Sequence, residues 1–267
     1  MSSKEVTSKA QPSRAARGDR DAGVPPHPTR AGGNSGASPS NTAPAKYNKN
    51  QQHISPLRCA VDSLYMSFTG ILRNHIETRL EEGKAAAQNA PDTDKSKATL
   101  ELFDHYFEIL PRGSGKFAYV LEDSWFRIEL PSSKARKMPL AYVQVKSELL
   151  TFTPIEQIIE TLTHIVTHLG YLKDEPRISR IDVCLDFFCI EPFDLSQTQI
   201  RQWKTRAGHI DQYYEHKQLT GWRIGKGDVM GRIYDKTREI QKSGKEYLYD
   251  LWANQGWDRQ TKVWRIE

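Results

Sequence analysis

The sequence predicts an α+β fold in which helices flank a central, mainly antiparallel sheet. Short runs with period-two apolar alternation follow one another closely, and only a few longer segments have the apolar spacing of a helix. A third observation sets the limits of the fold. Residues 1–53 contain few large apolar side chains and are rich in Ser, Pro, Gly, Ala and charge. Such a segment cannot bury enough surface to offset its ordering entropy. We therefore expect a disordered basic tail over 1–53 and one folded domain over 54–267.

The first half of the domain is predicted to contain strands and two helices. Alternating apolar residues indicate the strands, turn signals such as Pro111-Arg112-Gly113 separate them, and Pro91 ends the first helix. In chain order, the predicted elements are strand Arg58–Phe68, helix Ile71–Asn89, a shorter helix Ala98–Phe107, and strands Phe117–Leu121, Trp125–Leu130 and Ala141–Lys146.

Thr153-Pro154 opens the clearest helix, because threonine is a good N-cap and proline suits the first helical position. Gly170 is predicted to end it. The strongest strand follows over Ile178–Ile190, with Ile181, Val183, Leu185 and Phe187 on one face and the polar side chains on the other. The remaining predicted elements are helix Leu195–Lys204, strands Gln212–Lys217, Thr220–Gly225 and Val229–Lys236, helix Lys245–Ala253 and strand Thr261–Glu267.

The net charge of +5 resides entirely in the tail. Eight of the 38 Lys and Arg residues and three of the 33 Asp and Glu residues lie in 1–53, so the domain is neutral. Global charge thus gives no evidence that the domain binds nucleic acid. Local charge does, because 217–245 contains eight cations and only three acids.

Three further observations point to a cytoplasmic protein with no membrane partner. The three cysteines have no metal-ligand spacing, and we expect them to be reduced. The N-terminus lacks the apolar segment of a secretory signal. No run of apolar residues is long enough to span a membrane.

The segment Gly231–Glu239 places a tyrosine between two cations. On a strand, Arg232, Tyr234 and Lys236 point the same way. A phenol so placed can attack a phosphate, because the cations favour phenolate and neutralise the oxygens that gain charge. Alternatively, Tyr234 is a half-buried strand tyrosine with two solvated basic neighbours.

Carboxylates lie in phase on two other predicted strands. If these strands are neighbours of the tyrosine strand, Asp182, Asp186 and Glu267 converge on one sheet face. Clustered carboxylates without nearby His or Cys suit Mg²⁺ or Mn²⁺, which can hold and polarise a phosphodiester. Alternatively, the aspartates pair with Arg180, Arg232 and Arg265 in a surface ladder.

Four motifs in order resemble the replication initiation factor family: Arg180–Phe187, Gly221–Gly225, Arg232–Glu239 and Trp264–Glu267. Val61–Phe68 also resembles its opening strand, so the resemblance covers about 55–267. The family comprises rolling-circle initiators of plasmids, related phage and integrative-element proteins, and conjugative relaxases of that group. It implies an HUH-nuclease-like domain that lacks the His-hydrophobic-His strand, and none of the eight histidines here lie two apart.

The resemblance also implies site roles and partners. Tyr234 matches the nucleophile that becomes joined to the 5′ side of a nicked strand, and Lys236 and Arg232 stabilise its transition state. Asp182, Asp186 and Glu267 match metal-binding positions for Mg²⁺ or Mn²⁺, with Glu239 a weaker candidate. Expected DNA-binding residues are Arg180, Arg223, Lys226, Arg238 and Arg265. The implied partners are origin DNA, single-stranded or extruded at the nick, a helicase and a homodimer partner.

The expected function is thus rolling-circle replication initiation by metal-dependent DNA nicking and strand joining through a 5′-phosphotyrosine. The alternatives are a non-catalytic DNA-binding protein of a mobile element, which would use the basic segment 217–245, and a metal-dependent phosphotransferase without a covalent tyrosine. Family members continue beyond the final motif, whereas this sequence stops within it at Glu267. We therefore expect a sequence truncated at its C-terminus.

Overall fold

A single large sheet dominates the domain. The computed structural model describes residues 54–89, 98–135, 137–190 and 204–267. The predicted tail and the predicted helix Leu195–Lys204, apart from Lys204, lie outside these residues. In chain order, the described elements are β1 (Ile54–Phe68), β2 (Gly70–Leu72), α1 (Asn74–Asn89), β3 (Thr99–Leu102), β4 (His105–Ile109), β5 (Tyr119–Glu122), β6 (Phe126–Leu130), β7 (Ala141–Val145), α2 (Ser147–Phe152), α3 (Ile155–Leu169), β8 (Gly170–Leu172), β9 (Arg177–Cys189), β10 (Ile210–Glu215), β11 (Gln218–Ile224), β12 (Gly231–Asp235), α4 (Lys236–Ser243), α5 (Tyr247–Asn254) and β13 (Val263–Ile266).

Eleven strands form the sheet in the order β10-β11-β12-β13-β9-β1-β7-β6-β5-β4-β3, and every neighbouring pair is antiparallel. Strands β2 and β8 pair separately. The predicted α+β class with an antiparallel sheet is confirmed. No helix in the described ranges is long and apolar enough to cross a membrane.

The two sheet faces are covered over different strands. Helices α1 and α3 bury the apolar residues of β1, β3, β4, β6 and β7 on one face. On the opposite face, α4 and α5 pack against Leu57, Phe188 and Val263 of β1, β9 and β13. Tyr234 pairs with Arg265, which is two residues after Val263, so the side chain of Tyr234 lies on this second face. We call it the tyrosine face.

Burial along β9 follows its alternation only in part, since Phe187 of the apolar row is buried. The predicted two-face pattern is present, yet Ile181 and Val183 are about half exposed, whereas Cys184 and Asp186 are buried. The reason is that α5 covers the polar side of this strand, where Trp252 contacts Asp186. The strand therefore places polar groups, not its aliphatic row, in the interior of the domain.

Several local predictions are wrong. Pro154, not Thr153, is at the N-cap of α3, and Ile71 lies in β2, before the first helix begins at Asn74. Ala98–Phe107 is not a helix but the hairpin β3–β4, with Phe103 at a positive φ of 59° in its turn. The strand pattern is visible in β3, where Leu100 and Leu102 are buried and alternate with exposed Thr99 and Glu101. The predicted strand Val229–Lys236 ends at Asp235, whose carboxylate accepts from the amide of Arg238 at 3.0 Å and caps α4.

Candidate active site

Tyr234 lies on β12 and donates a hydrogen bond to a carboxylate. Its Oη is 2.9 Å from Oε2 of Glu267, and the other oxygen of that carboxylate binds the Arg232 guanidinium. Main-chain hydrogen bonds of 2.9 and 2.7 Å also join Glu267 to Arg232 in both directions. The backbone and the side chain therefore both fix the carboxylate beside the phenol.

A glycine on the neighbouring strand allows the backbone of β12 to approach closely at Tyr234. Gly221 of β11 lies opposite Tyr234 in the register. A Cβ at Gly221 would come within 2.8 Å of the Tyr234 Cβ and 2.7 Å of the Ile233 carbonyl oxygen. A larger residue at position 221 would therefore displace the tyrosine strand.

Two cations lie against the Tyr234 ring, as the sequence predicts. The Arg232 guanidinium carbon is 5.8 Å and the Lys236 Nζ 5.7 Å from the ring centroid. Lys236 reaches this position from the first turn of α4 and not from the strand. It is buried and paired with Glu239; burial and then the charge of Arg265 lower the pKa of its ammonium group.

The environment of Tyr234 favours the neutral phenol. Burial raises the pKa of Tyr234; Arg265 opposes this, whereas Glu267 adds to it by charge and hydrogen bonding. The sequence-based expectation that the flanking cations favour phenolate is therefore outweighed. Tyr234 needs a proton acceptor to become a nucleophile, and Glu267 already accepts its hydrogen bond.

Arg265 and Asp186 form a buried ion pair behind Tyr234. Both are fully buried, and the guanidinium binds both carboxylate oxygens, with Nε–Oδ1 at 2.5 Å and Nη2–Oδ2 at 2.8 Å. A second carboxylate, that of Asp62, accepts from Arg265 at 2.7 Å, and the Trp252 indole donates to Asp186 at 3.1 Å. We call these four residues the buried polar cluster.

The Asp62 carboxyl stays ionised within this cluster. Burial alone would raise its pKa, but the charges of Arg265, Lys245 and Lys236 together outweigh burial and hold the pKa below its ordinary value. Asp62 and Trp252 are not identified from the sequence. A strand irregularity around Asp62 interrupts the alternation that would place it on this face, and Trp252 is reached only through the packing of α5.

The three carboxylates predicted to bind a metal share one sheet face, as expected, but each is paired with an arginine. Asp186 has both oxygens on Arg265, Asp182 binds Arg180 with Nε–Oδ1 at 3.0 Å, and Glu267 binds Arg232 and Tyr234. Within the described residues, no group of three His, Cys, Asp or Glu residues is arranged to hold a metal ion. The donor set therefore does not fit a three-carboxylate centre in this arrangement.

The residues predicted to bind DNA differ in availability. Arg265 is fully buried in the cluster, so its charge cannot meet a phosphate at the surface. Arg223 and Arg238 pair with Asp211 and Glu215 of β10, which neutralise part of the basic segment. Lys226 is exposed in the turn after β11. Arg180 is 44% exposed and is therefore accessible despite its pairing with Asp182.

No family model, curated protein or solved structure matches this chain. The geometry around Tyr234 is therefore the basis on which a function can be assigned.

Proposed function

We propose that this protein nicks and rejoins DNA, with Tyr234 as the covalent nucleophile, as a rolling-circle replication initiator or related relaxase. The observation that carries the proposal is the 2.9 Å hydrogen bond from the Tyr234 phenol to the Glu267 carboxylate, with two cations against the same ring. Nucleophile, base and charge stabilisation are the three parts that phosphodiester transfer to a tyrosine requires. An HUH-type topology, a cytoplasmic location, a helicase partner and a homodimer partner belong to the same proposal.

The proposed reaction conserves the phosphodiester bond energy. The phenol proton passes to Glu267 as the Tyr234 oxygen attacks a backbone phosphorus of single-stranded DNA. The bond from phosphorus to the 3′-oxygen breaks, and this oxygen leaves with a proton from Glu267 or water. The products are a 5′-phosphotyrosine and a free 3′-hydroxyl. Attack of a 3′-hydroxyl on the phosphotyrosine reverses these steps and joins the strand.

Arg232 and Lys236 have different roles in this proposal. The phosphoryl oxygens gain charge in the transition state, and nearby fixed cations stabilise that charge most in a partly desolvated site. Lys236 is almost fully buried and lies against the ring, whereas the Arg232 side chain is 36% exposed. Lys236 therefore acts through its fixed charge without contacting the phosphate, and Arg232 can turn from Glu267 toward an incoming phosphate.

The first experiment looks for the covalent product and its metal dependence together. Supercoiled DNA and single-stranded oligonucleotides that tile the DNA flanking the gene are incubated with the protein in Mg²⁺, in Mn²⁺ or in EDTA. We expect nicked DNA and a denaturation-resistant adduct in which mass spectrometry maps the DNA to Tyr234. Adduct formation that persists in EDTA would contradict the predicted cofactor, and an adduct on another residue would contradict the nucleophile.

The proposed nicking reaction includes no step at a metal ion, because the predicted metal ligands are engaged in ion pairs. DNA binding without any adduct would instead support the non-catalytic alternative. Cleavage that needs Asp182 but not Tyr234 would support the phosphotransferase.

Replacing Glu267 by Gln tests the proton acceptor. We expect the nicking rate at neutral pH to fall by about 10²–10⁴-fold, which is the usual contribution of a general base. Since the pKa of Tyr234 lies above its ordinary value, almost no phenolate exists at neutral pH. The rate of the variant should therefore rise steadily through the alkaline range as phenolate forms. Single-turnover rates across pH measure both effects.

Glu101→Gln is the matched control and should nick at the wild-type rate, because Glu101 is exposed on β3, at the far end of the sheet from β12, and accepts its hydrogen bond from Tyr106. A Glu267→Gln variant with the rate and pH profile of the wild type would remove Glu267 from the mechanism.

A further inference from the structure

The tyrosine face continues beyond the candidate active site as a row of aromatic side chains. Antiparallel pairing places Tyr65 of β1 next to Arg180 of β9 on this face. Strand β7 lies on the other side of β1 and carries Tyr142 on the same face. Both tyrosines are partly exposed, in contrast to the residues beneath α4 and α5. This part of the sheet therefore presents rings at the surface.

The rings are close enough to act as one surface. The centroids of Tyr65 and Tyr142 are 5.9 Å apart, and those of Tyr142 and Phe117 are 6.0 Å apart with their planes at 22°. At the other end of the row, the Arg180 guanidinium carbon lies 5.3 Å from the Tyr65 centroid. Three rings and one planar cation thus follow one another across β9, β1, β7 and the chain before β5.

The row leads to Tyr234. Arg180 also binds Asp182, which lies on the same face of β9 as Asp186, the partner of Arg265. Four strand spacings separate β12, which carries Tyr234, from β7, which carries Tyr142. The lateral distance is therefore about 19 Å, the length of a few nucleotides rather than of a distant second site.

The surroundings of the rings are polar but carry little net charge. Ser63, Ser67 and Gln144 lie on the same face, and Arg127 is paired with Glu122 and Glu129. Burial, and then the neighbouring Tyr65 and Glu129, raise the pKa of Tyr142, so its phenol stays uncharged. Such a surface favours stacking of neutral rings over binding by charge alone.

We propose that Tyr65, Tyr142 and Phe117 form a stacking platform for the unpaired bases of a single DNA strand whose phosphate is presented to Tyr234. This inference rests on the proposed function for the identity of the strand. Every base has a π face, so stacking is tolerant of sequence, and paired bases within a duplex cannot offer that face. The platform therefore selects single-stranded DNA and leaves recognition of a specific sequence to other contacts.

Binding of the full chain to a fluorescein-labelled oligo-dT of about 15 nucleotides tests the platform, with anisotropy as the readout. We expect Tyr65→Ala and Tyr142→Ala each to weaken binding by about 5- to 150-fold, the range for loss of one stacked base. Because stacking and not charge is lost, the salt dependence of binding should not change. Tyr65→Phe and Tyr142→Phe should bind within about twofold of the wild type.

Tyr171→Ala is the matched control, since Tyr171 is 64% exposed on β8, outside the eleven-stranded sheet, and its ring packs against Arg73 at 4.5 Å. Tyr65→Thr retains a strand-forming residue and should lose affinity as Tyr65→Ala does. If Tyr65→Ala, Tyr65→Thr and Tyr142→Ala all bind oligo-dT like the Tyr171 control, the platform is wrong.

The two proposals fail separately. Weaker oligo-dT binding by the platform variants in a protein that never forms an adduct would retain the platform and overturn the nicking reaction. Normal oligo-dT binding by the same variants in a protein that forms the Tyr234 adduct would retain the nicking reaction and overturn the platform.

Discussion

Tyr234→Phe is expected to eliminate the covalent DNA adduct and to lower strand nicking to the uncatalysed background. Phenylalanine lacks the oxygen that forms the bond to phosphorus, and no other group in the proposed reaction can replace it. The substitution removes one hydrogen bond, to Glu267, while Arg232 still binds that carboxylate. The expected cost in folding free energy is only about 1 kcal/mol. Denaturing gels of reactions with labelled DNA measure the adduct, and circular dichroism checks the fold.

Tyr213→Phe controls for the loss of a phenol beside the basic segment, because Tyr213 is 42% exposed on β10, which pairs with β11. We expect this variant to form adduct at the rate of the wild type. Binding of oligo-dT should be unaffected in both variants, which separates chemistry from association. Adduct formation by the Tyr234→Phe variant would contradict the assignment of Tyr234 as the nucleophile.

Arg265→Met is expected to cause the largest loss of stability of any single substitution discussed. It would leave the fully buried carboxylate of Asp186 with Arg58, at 3.9 Å, as its remaining ion pair among the described residues, and Asp62 would lose its shortest ion pair. Removal of one partner of a buried pair typically costs about 3–5 kcal/mol, because the other charge stays desolvated. The free energy of unfolding from urea titration measures this loss.

Arg259→Met is the appropriate comparison, since the pair of Arg259 with Asp250 lies on the surface with both side chains more than half exposed. Its cost should be below about 1 kcal/mol. The double variant Asp186→Leu/Arg265→Met should be more stable than Arg265→Met alone, because the fully buried carboxylate of Asp186 is then no longer left without Arg265. Equal small losses of unfolding free energy in Arg265→Met and Arg259→Met would show that the buried polar cluster stabilises the fold no more than a surface ion pair does.

Strand periodicity was sufficient to predict which side chains share a face. Tyr234, Arg265 and Asp186 are paired across β12, β13 and β9 as their phasing suggests. This prediction succeeds because side-chain direction on a strand depends only on parity. The closeness of Arg232 and Glu267 to Tyr234 follows from the same rule once the strands are known to be neighbours.

The partners of these side chains could not be predicted in the same way. Asp186 binds Arg265 instead of sharing a metal centre with Asp182, because α5 covers that end of β9 and excludes water. Lys236 begins a helix because Asp235 caps it. The strand-like sequence pattern does not reveal this local interaction. Helix packing and strand irregularities decide which charges are buried, and neither is encoded in alternation.

The ladder between β12 and β13 also has a consequence for motion. Glu267 is joined by two main-chain hydrogen bonds to Arg232, which lies two residues before Tyr234 on the same strand. When β12 shifts in a thermal fluctuation, the acceptor is carried along with the donor. The distance between the phenol oxygen and the carboxylate should thus fluctuate less than the position of either group relative to the rest of the domain. Correlated displacement of this kind keeps proton transfer competent while the surrounding surface adapts to an incoming strand.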